Sequence, residues 1–225
     1  MKIYERESNV TLFAYETQSE RVLVTEAVKR NIPLKNANLR GMNLSGIHLT
    51  NTDLSHADLT NANLNEAKFI NCVFTGADFD YTICHYAHFS RCDFTEAILR
   101  HVSCIETRFN ECGLSHAEIV YSTFMMAMFA NCKMIHAKID GSAFILSRFD
   151  TCDMTHVRMA LACWNETAVS FTVLADTILT AKNEYPEYIS MDAQTSLKFQ
   201  DVHYINGSGP FARFNSKGEL NYEEK

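Results

Sequence analysis

An apolar residue occurs at every fifth position from Leu39 to Trp164 without a shift of phase. An α-helix repeats every 3.6 residues and a strand alternates every two, so neither has this period. We call the repeated residue position i. Position i−2 is mostly small or β-branched, and the other three positions of each unit are mostly polar. The residues at position i are Leu39, Leu44, Leu49, Leu54, Leu59, Leu64, Phe69, Phe74, Phe79, Cys84, Phe89, Phe94, Leu99, Cys104, Phe109, Leu114, Ile119, Phe124, Phe129, Met134, Ile139, Phe144, Phe149, Met154, Met159 and Trp164.

A second period, of twenty residues, accompanies the period of five. Inward positions two residues apart are typical of a strand, so the chain must bend once in each unit. Four bends of about a right angle close a square, and one coil then takes twenty residues. The sequence predicts stacked coils whose equivalent sides pair like parallel strands, about 4.8 Å apart. The residues spaced by twenty include a thiol column, Cys72, Cys92, Cys112, Cys132 and Cys152, and the series Phe69, Phe89, Phe109, Phe129 and Phe149.

Units such as Ala57-Asp58-Leu59 and Ala62-Asn63-Leu64 resemble those of pentapeptide-repeat proteins. The resemblance covers residues 37–166 and implies an all-β fold, a right-handed quadrilateral parallel β-helix. It implies little about activity, because the family hosts few assigned activities. A helix that leads into the repeats also resembles family members encoded by bacteria and their phages.

Residues 1–36 are predicted to cap the first coil, because a stacked solenoid exposes its ends. Residues 2–15 fit a short hairpin. The sequence from Thr17 to Glu20 fits a capping box, and residues 19–31 then read as an amphipathic helix. The residues expected to face the first coil are Val22, Val24, Ala27 and Val28.

Residues 167–225 are predicted to form a C-terminal cap or a dimerisation tail. Residues 171–182 fit either a final coil or a helix, with a slight preference for the helix. Residues 196–205 and 211–222, which are joined through an Asn-Gly-Ser-Gly sequence, predict a β-hairpin.

The composition argues against nucleic-acid binding and against a membrane protein. The net charge is −7, whereas nucleic-acid binders usually present a basic face. No apolar run approaches the roughly 18 residues that span a bilayer. The first ten residues carry charges where a signal peptide has its apolar core. We therefore expect a cytoplasmic protein that contacts neither nucleic acid nor membrane directly.

Enzyme motifs are absent from the sequence. It contains no Gly-rich phosphate loop, no HExxH, no GxSxG and no CxxC. A regular solenoid also offers no deep concave pocket of the kind that catalysis favours. The sequence predicts a protein that is not an enzyme.

Two columns of potential metal ligands are interpreted as structural. Zinc needs about four ligands that converge, whereas a straight thiol column gives each sulfur only neighbours above and below. We interpret these cysteines as small buried residues; aligned Cβ vectors and a reducing compartment argue against disulfides between coils. Cys84 and Cys104, at position i, are also expected to be buried. Stacked imidazoles at His116, His136 and His156 lack a regular carboxylate to complete a shell, so no metal or other cofactor is predicted.

Outward positions on the side of the coil that contains Cys84 and Cys104 are unusually apolar. An exposed apolar stripe usually marks a contact. The C-terminal tail, a second copy of the chain and a protein partner are the three candidates to cover it. This apolar stripe consists of Ile83, Ile105, Met125, Met126, Ile145 and Leu146.

An uneven acidity suggests a second candidate surface. Some pentapeptide-repeat proteins resemble duplex DNA in shape and charge and bind DNA gyrase in its place. Residues 37–166 have a net charge of −5. Duplex DNA of the same length, roughly 31 Å, carries on the order of 18 negative charges, so the rod is a weak mimic by net charge. The acidic set consists of Asp53, Asp58, Glu66, Asp78 and Asp80.

The sequence thus predicts a non-enzymatic protein-interaction module that presents a rigid rod with flat faces. The resemblance implies a DNA-handling partner such as gyrase, which the rod would modulate as a DNA mimic. Two alternatives stay open: a structural homodimeric scaffold, and a phage-encoded inhibitor of a host enzyme or defence protein.

Overall fold

The computed structural model of the chain describes residues 1–160, Ala162 and six short strands beyond them. The part before the repeats contains β1 (Lys2–Glu5), β2 (Thr11–Ala14) and α1 (Glu20–Lys29). The repeats contain β3 (Ala37–Asn38), β4 (His48–Thr50), β5 (Lys68–Ile70), β6 (His88–Ser90), β7 (Ser103–Ile105), β8 (Arg108–Asn110), β9 (Thr123–Met125), β10 (Met128–Ala130), β11 (Ala143–Ile145), β12 (Arg148–Asp150) and β13 (Arg158–Ala160). The six later strands are β14 (Ala168–Ser170), β15 (Ile178–Thr180), β16 (Ser190–Met191), β17 (His203–Tyr204), β18 (Ala212–Phe214) and β19 (Leu220–Tyr222).

The repeats form a parallel β-solenoid with four faces, as the two periods predict. Each strand of the eight-stranded sheet β16-β14-β12-β10-β8-β6-β5-β4 runs parallel to the next. The register is twenty residues within the repeats, since Phe69 pairs with Phe89 and Phe89 with Phe109. We number the faces by their position-i residues: face 1 (Leu39, Leu59, Phe79, Leu99, Ile119, Ile139, Met159), face 2 (Leu44, Leu64, Cys84, Cys104, Phe124, Phe144), face 3 (Leu49, Phe69, Phe89, Phe109, Phe129, Phe149) and face 4 (Leu54, Phe74, Phe94, Leu114, Met134, Met154).

The core is the column of position-i side chains that fills the square. From Leu39 to Met159 each of them is at most 4% exposed. On face 3 the rings of Phe69, Phe89, Phe109, Phe129 and Phe149 stack with centroid distances of 4.7–5.3 Å. Identical rings at the coil spacing therefore tie each coil to the next. Trp164, the last predicted position-i residue, lies outside the described residues.

Position i+2 has a left-handed backbone in every unit from 36 to 156. At corners such as Leu54 to Ala57, the Ala57 N–H donates to the Leu54 carbonyl at 3.1 Å, so the corner is a type II turn. Such a turn favours Gly or Asn at its third residue. Only four of these positions are Gly, and Met126 and Leu146 hold φ values of 53° and 54°. The sequence predicted the bend but not its conformation, because many of these positions carry residues such as Glu, Tyr, Met and Leu, which are not typical of a left-handed backbone.

Most corners that carry Cys, Ser or Thr at position i−2 have a side-chain hydrogen bond between coils. The side chain donates to a backbone carbonyl 23 residues earlier: Thr107 Oγ1 to Cys84 at 2.6 Å, and Ser122 Oγ to Leu99 at 2.7 Å. The thiol column follows the same rule at 3.4–3.6 Å. Its five sulfurs are buried as predicted, but they also act as weak donors, so they are more than substitutes for Ala.

Replacing Ser142 by Ala should lower the free energy of unfolding by about 1–3 kcal/mol. The Ser142 hydroxyl donates to the Ile119 carbonyl at 2.8 Å and accepts from the Ser122 N–H at 3.0 Å, and both backbone groups would be left unsatisfied. Urea unfolding measures the change. Ser90→Ala, at an outward position, is the control and should have little effect. An equal cost for both variants would contradict the role given to the inward hydroxyl.

The N-terminal hairpin and helix close the first coil. The predicted hairpin is confirmed, since β1 and β2 pair antiparallel, and β1 also pairs antiparallel with β3. The helix begins one residue after Ser19, whose side chain accepts from the Val22 N–H at 3.3 Å. The predicted capping box at Thr17 is therefore wrong: the Thr17 hydroxyl instead accepts from the Ser19 N–H at 3.1 Å, just before the helix.

The helix covers the apolar end of the first coil and supplies hydrogen-bond partners to its backbone. Its buried residues include Val24 and Ala27, as predicted, together with Leu23, and Val28 is partly buried against the core. Val22, however, is exposed, so the prediction that it faces the coil is wrong. Glu20 Oε2 accepts from the Asn43 N–H at 2.5 Å and Arg21 Nη1 donates to the Ser45 carbonyl at 3.1 Å. These side chains thus take the place of a further coil on face 2.

The C-terminal strands correct two predictions. Strand β15 pairs parallel with β13 in phase, so its three residues form a strand and the slight preference for a helix is wrong there. A hairpin is present, but it joins β18 to β19 within the second predicted arm, whereas β17 pairs parallel with β15. Most of residues 163–225 lies outside the described residues, so the choice between a cap and a dimerisation tail stays a prediction. No described helix is long and apolar enough to cross a membrane.

Candidate interaction surface

The structure brings the whole apolar stripe to face 2 and its edge. Parallel pairing places Ile105 beside Met125 and Met125 beside Ile145, one residue per coil. We call this column of three half-buried side chains the ridge. Met126 and Leu146 follow at the adjacent corner and are 43% and 49% exposed. The remaining residue of the stripe, Ile83, lies one column across on the same face and is also exposed.

An aromatic ladder borders face 2 at its other corner. The Tyr81 and His101 rings stack with centroids 4.7 Å apart, and the His101 and Tyr121 rings with centroids 5.7 Å apart. Tyr121 is 63% exposed and its ring lies over Gly141, where an added Cβ would come within 2.6 Å of a ring carbon. This ladder was not predicted from the sequence, although three residues at position i+2 spaced by twenty were the signal.

A shallow groove separates the ladder from the ridge. Its floor is formed by Ser103, Thr123 and Ala143, which pair in register and carry short side chains. Among the described outward residues of face 2 and its two corners, from Tyr81 to Leu146, Glu106 is the one carboxylate and there is no Lys or Arg. The surface is therefore nearly uncharged as well as apolar.

Partly buried imidazoles lie at this surface and beside it. His85 Nε2 is 2.8 Å from Ser103 Oγ on face 2, and burial lowers the pKa of His85. On face 3, burial and then the charges of Arg108 and Lys68 lower the pKa of His88. Both rings are therefore held in the neutral form more strongly than in the unfolded chain.

Stability should fall as the pH drops below about 6.5. A His whose folded pKa is lowered binds fewer protons than in the unfolded chain, so its penalty is absent above the unfolded pKa and grows as the pH falls towards the folded pKa. Urea midpoints recorded from about pH 8 to about pH 5 measure the loss, and His88→Gln should show a smaller loss. Equal losses in both proteins would contradict the assignment to His88.

Two neighbouring cysteines lie directly beneath face 2. Cys84 and Cys104 are buried, as predicted, and their Cα atoms are 5.0 Å apart. Vertical stacking at position i brings the two Cα atoms within the range that a disulfide spans.

The acidic set does not form a single surface. Asp58, Asp78 and Asp80 lie on face 1, Asp53 lies on face 4, and Glu66 lies at the corner between faces 2 and 3.

Arginine side chains approach all three members of the acidic set that lie on face 1. Arg40 Nη1 is 3.9 Å from Asp58 Oδ2, and Arg100 Nη2 is 3.6 Å from Asp80 Oδ2. Arg6, from the N-terminal hairpin, is 3.0 Å from Asp78 Oδ2. The carboxylates are thus largely compensated.

Three of these carboxylates also hold the local backbone. Asp58 Oδ1 accepts from the Thr60 N–H at 2.9 Å, Asp53 Oδ1 from the Ser55 N–H at 2.9 Å, and Asp78 Oδ1 from the Asp80 N–H at 3.1 Å. Such bonds to a backbone N–H two residues on are typical of Asx turns. The acidic residues therefore have a structural role in the coil whatever else they bind.

The predicted histidine column is present at the corner between faces 4 and 1. The His116 and His136 rings stack with centroids 5.1 Å apart, and those of His136 and His156 with centroids 4.7 Å apart. Among the described residues, no three His, Cys, Asp or Glu side chains are grouped to hold a metal ion.

Comparison with known proteins agrees with this architecture. The family described as Pentapeptide repeats matches in eight copies, over residues 34–69, 57–95 and 87–124. Residues 34–124 therefore consist of pentapeptide repeats. No curated protein matches it.

Solved structures of this family are similar to the chain at a distance. A trypsin-treated form of QnrB1, a plasmid-mediated fluoroquinolone resistance protein, is 18% identical, with 72% of this chain and 84% of that chain covered and a TM-score of 0.43. HetL of the cyanobacterium Nostoc sp. strain PCC 7120, a protein involved in heterocyst differentiation regulation, is 16% identical, with 89% and 98% covered and a TM-score of 0.33.

Proposed function

We propose that the protein is a non-enzymatic, cytoplasmic interaction module that presents face 2 of a rigid rod to a protein partner. The proposal rests on the half-buried ridge and the exposed corners on the two sides of face 2, which together form a nearly uncharged and largely apolar surface. Soluble proteins rarely leave such a surface uncovered unless it makes a contact.

The composition of face 2 suits a contact that excludes water. Burying one large apolar side chain contributes about 1.5–3 kcal/mol, and Met126, Leu146 and Tyr121 all have exposed surface to lose. The ordering cost is small, because the side chains stand on a regular sheet with fixed spacing. A few such residues commonly dominate the binding energy of an interface.

Ile145→Lys and Met125→Glu should each abolish a partner complex that survives high salt, because both place a charge on the ridge. Asn110→Lys introduces the same charge as Ile145→Lys on face 3 and is the matched control, which should bind as the natural chain does. The purified chain is immobilised, bacterial lysate is passed over it, and proteins retained after a high-salt wash are compared between variants. Undiminished retention by both face 2 variants would contradict the proposal.

A second candidate is a decoy for a DNA-handling enzyme such as gyrase, including the case of a phage-encoded inhibitor. The observation in its favour is that Asp58 and Asp78 stand in one column of face 1, with Asp80 beside them. The arginines paired with them reduce the field that such a decoy needs. This candidate predicts salt-sensitive inhibition of DNA supercoiling by gyrase that Asp58→Lys weakens, and supercoiling that is unaffected by the natural chain would exclude gyrase as the target.

A further inference from the structure

We propose that the partner on face 2 is a second copy of this chain, with the two rods side by side, pointing the same way, and related by a two-fold axis parallel to them. This inference rests on the proposed contact role of face 2. It follows from the order of the columns across the face, which runs from ladder to groove to ridge to the corner of Met126 and Leu146.

A two-fold axis parallel to the rods reverses left and right but keeps the height of each coil. The ridge of each copy then lies opposite the groove of the other. Met125 meets the short side chain of Thr123, and Ile145 meets Ala143. The two contacts are equivalent by symmetry, as in isologous dimers.

The two corner columns match in the same arrangement. Leu146 of one copy faces Gly141 of the other, where it meets the Tyr121 ring that lies over the glycine. The one carboxylate of the surface, Glu106, faces His101. The dimer therefore does not bury the Glu106 carboxylate without a partner, because His101 of the other copy faces it.

The antiparallel arrangement lacks these matches. A two-fold axis perpendicular to the rods sets the ridge of one copy against the ridge of the other and leaves both grooves empty. Close packing at an interface favours the arrangement that fills the grooves.

The size of the face predicts a weak dimer. Four coils at about 4.8 Å give roughly 19 Å of height, and five residues of about 3.3 Å give roughly 16 Å of width. The projected area is on the order of 300 Å² per copy, which is below the roughly 800 Å² per partner of standard interfaces. Dimerisation should therefore depend on protein concentration.

Cysteine cross-linking of the full chain tests the arrangement. Thr123→Cys and Met125→Cys are prepared separately and oxidised mildly, alone and mixed, with the natural chain as the control for its own cysteines. The parallel dimer predicts a cross-linked species in the mixture and little with either variant alone. Cross-linking of Met125→Cys with itself would overturn the parallel arrangement.

Sedimentation velocity over a range of concentrations tests the dimer itself. Ile145→Lys should raise the dissociation constant about thirtyfold or more, as expected for a central contact, while Asn110→Lys leaves it unchanged. Thermal melts confirm that the variants fold. A natural chain that stays monomeric over the whole concentration range overturns this inference. If the ridge variants of a monomeric chain retain less of a lysate protein than the natural chain does, the proposed function stands. If they retain as much, the proposed function fails together with the dimer.

Discussion

Replacing Phe109 by Ala should lower the free energy of unfolding by about 3–5 kcal/mol. The Phe109 ring is buried at the centre of the rod and stacks on Phe89 and Phe129 with centroids 5.0 and 4.9 Å away. Its neighbours are fixed at the coil spacing by their own backbone pairing, so they cannot collapse into the cavity. Sites that collapse poorly give the largest costs for such truncations.

Chemical denaturation followed by circular dichroism measures this loss. Asn110→Ala is the matched control, since the Asn110 side chain lies outside and donates only to Glu111 Oε1 at an exposed site. It should change stability by no more than about 0.5 kcal/mol. Similar losses in the two variants would mean that the phase of the repeat is not what determines the core. A broader transition in Phe109→Ala would show that one weakened coil uncouples the two halves of the stack.

The core and the pairing could be predicted from the sequence because both follow from a period that never shifts. Once every fifth residue points inward, Phe69 and Phe89 can only lie one coil apart. The corner chemistry could not be predicted in the same way. Met126 and Leu146 disfavour a left-handed backbone as isolated residues, and only the closed square imposes it on them. The thiol column donates to backbone carbonyls at corners that lack a type II turn, and the period alone does not show which corners those are.

The candidate surface was predictable in part. The sequence located all six residues of the apolar stripe on one side, because columns repeat every twenty residues. The groove and the aromatic ladder were not predicted. A short residue such as Thr123 forms the floor of a groove only where longer side chains stand on both sides of it. The pairing of Asp78 with Arg6 was also out of reach, because the hairpin that brings them together is set by tertiary packing.

Replacing Leu23 by Asp should destabilise the chain by about 4 kcal/mol or more, because it buries a carboxylate without a partner. Leu23 is fully buried in the helix that covers the first coil, where no further coil can shield the core. The adjacent Val22→Asp is the control: Val22 is 40% exposed and lies in the first turn, where a negative charge is tolerated or slightly favourable.

Urea unfolding and limited proteolysis of both variants distinguish a cap from an appendage. If the helix is a cap, Leu23→Asp should unfold the coils nearest to it along with the helix, because each coil depends on its neighbours for burial. If the helix is an appendage, the variant should lose only the hairpin and the helix, and the repeats should unfold at the natural midpoint. The bonds from Glu20 and Arg21 to backbone groups of the first coil favour the cap, because without them those groups lose their partners at an open sheet edge.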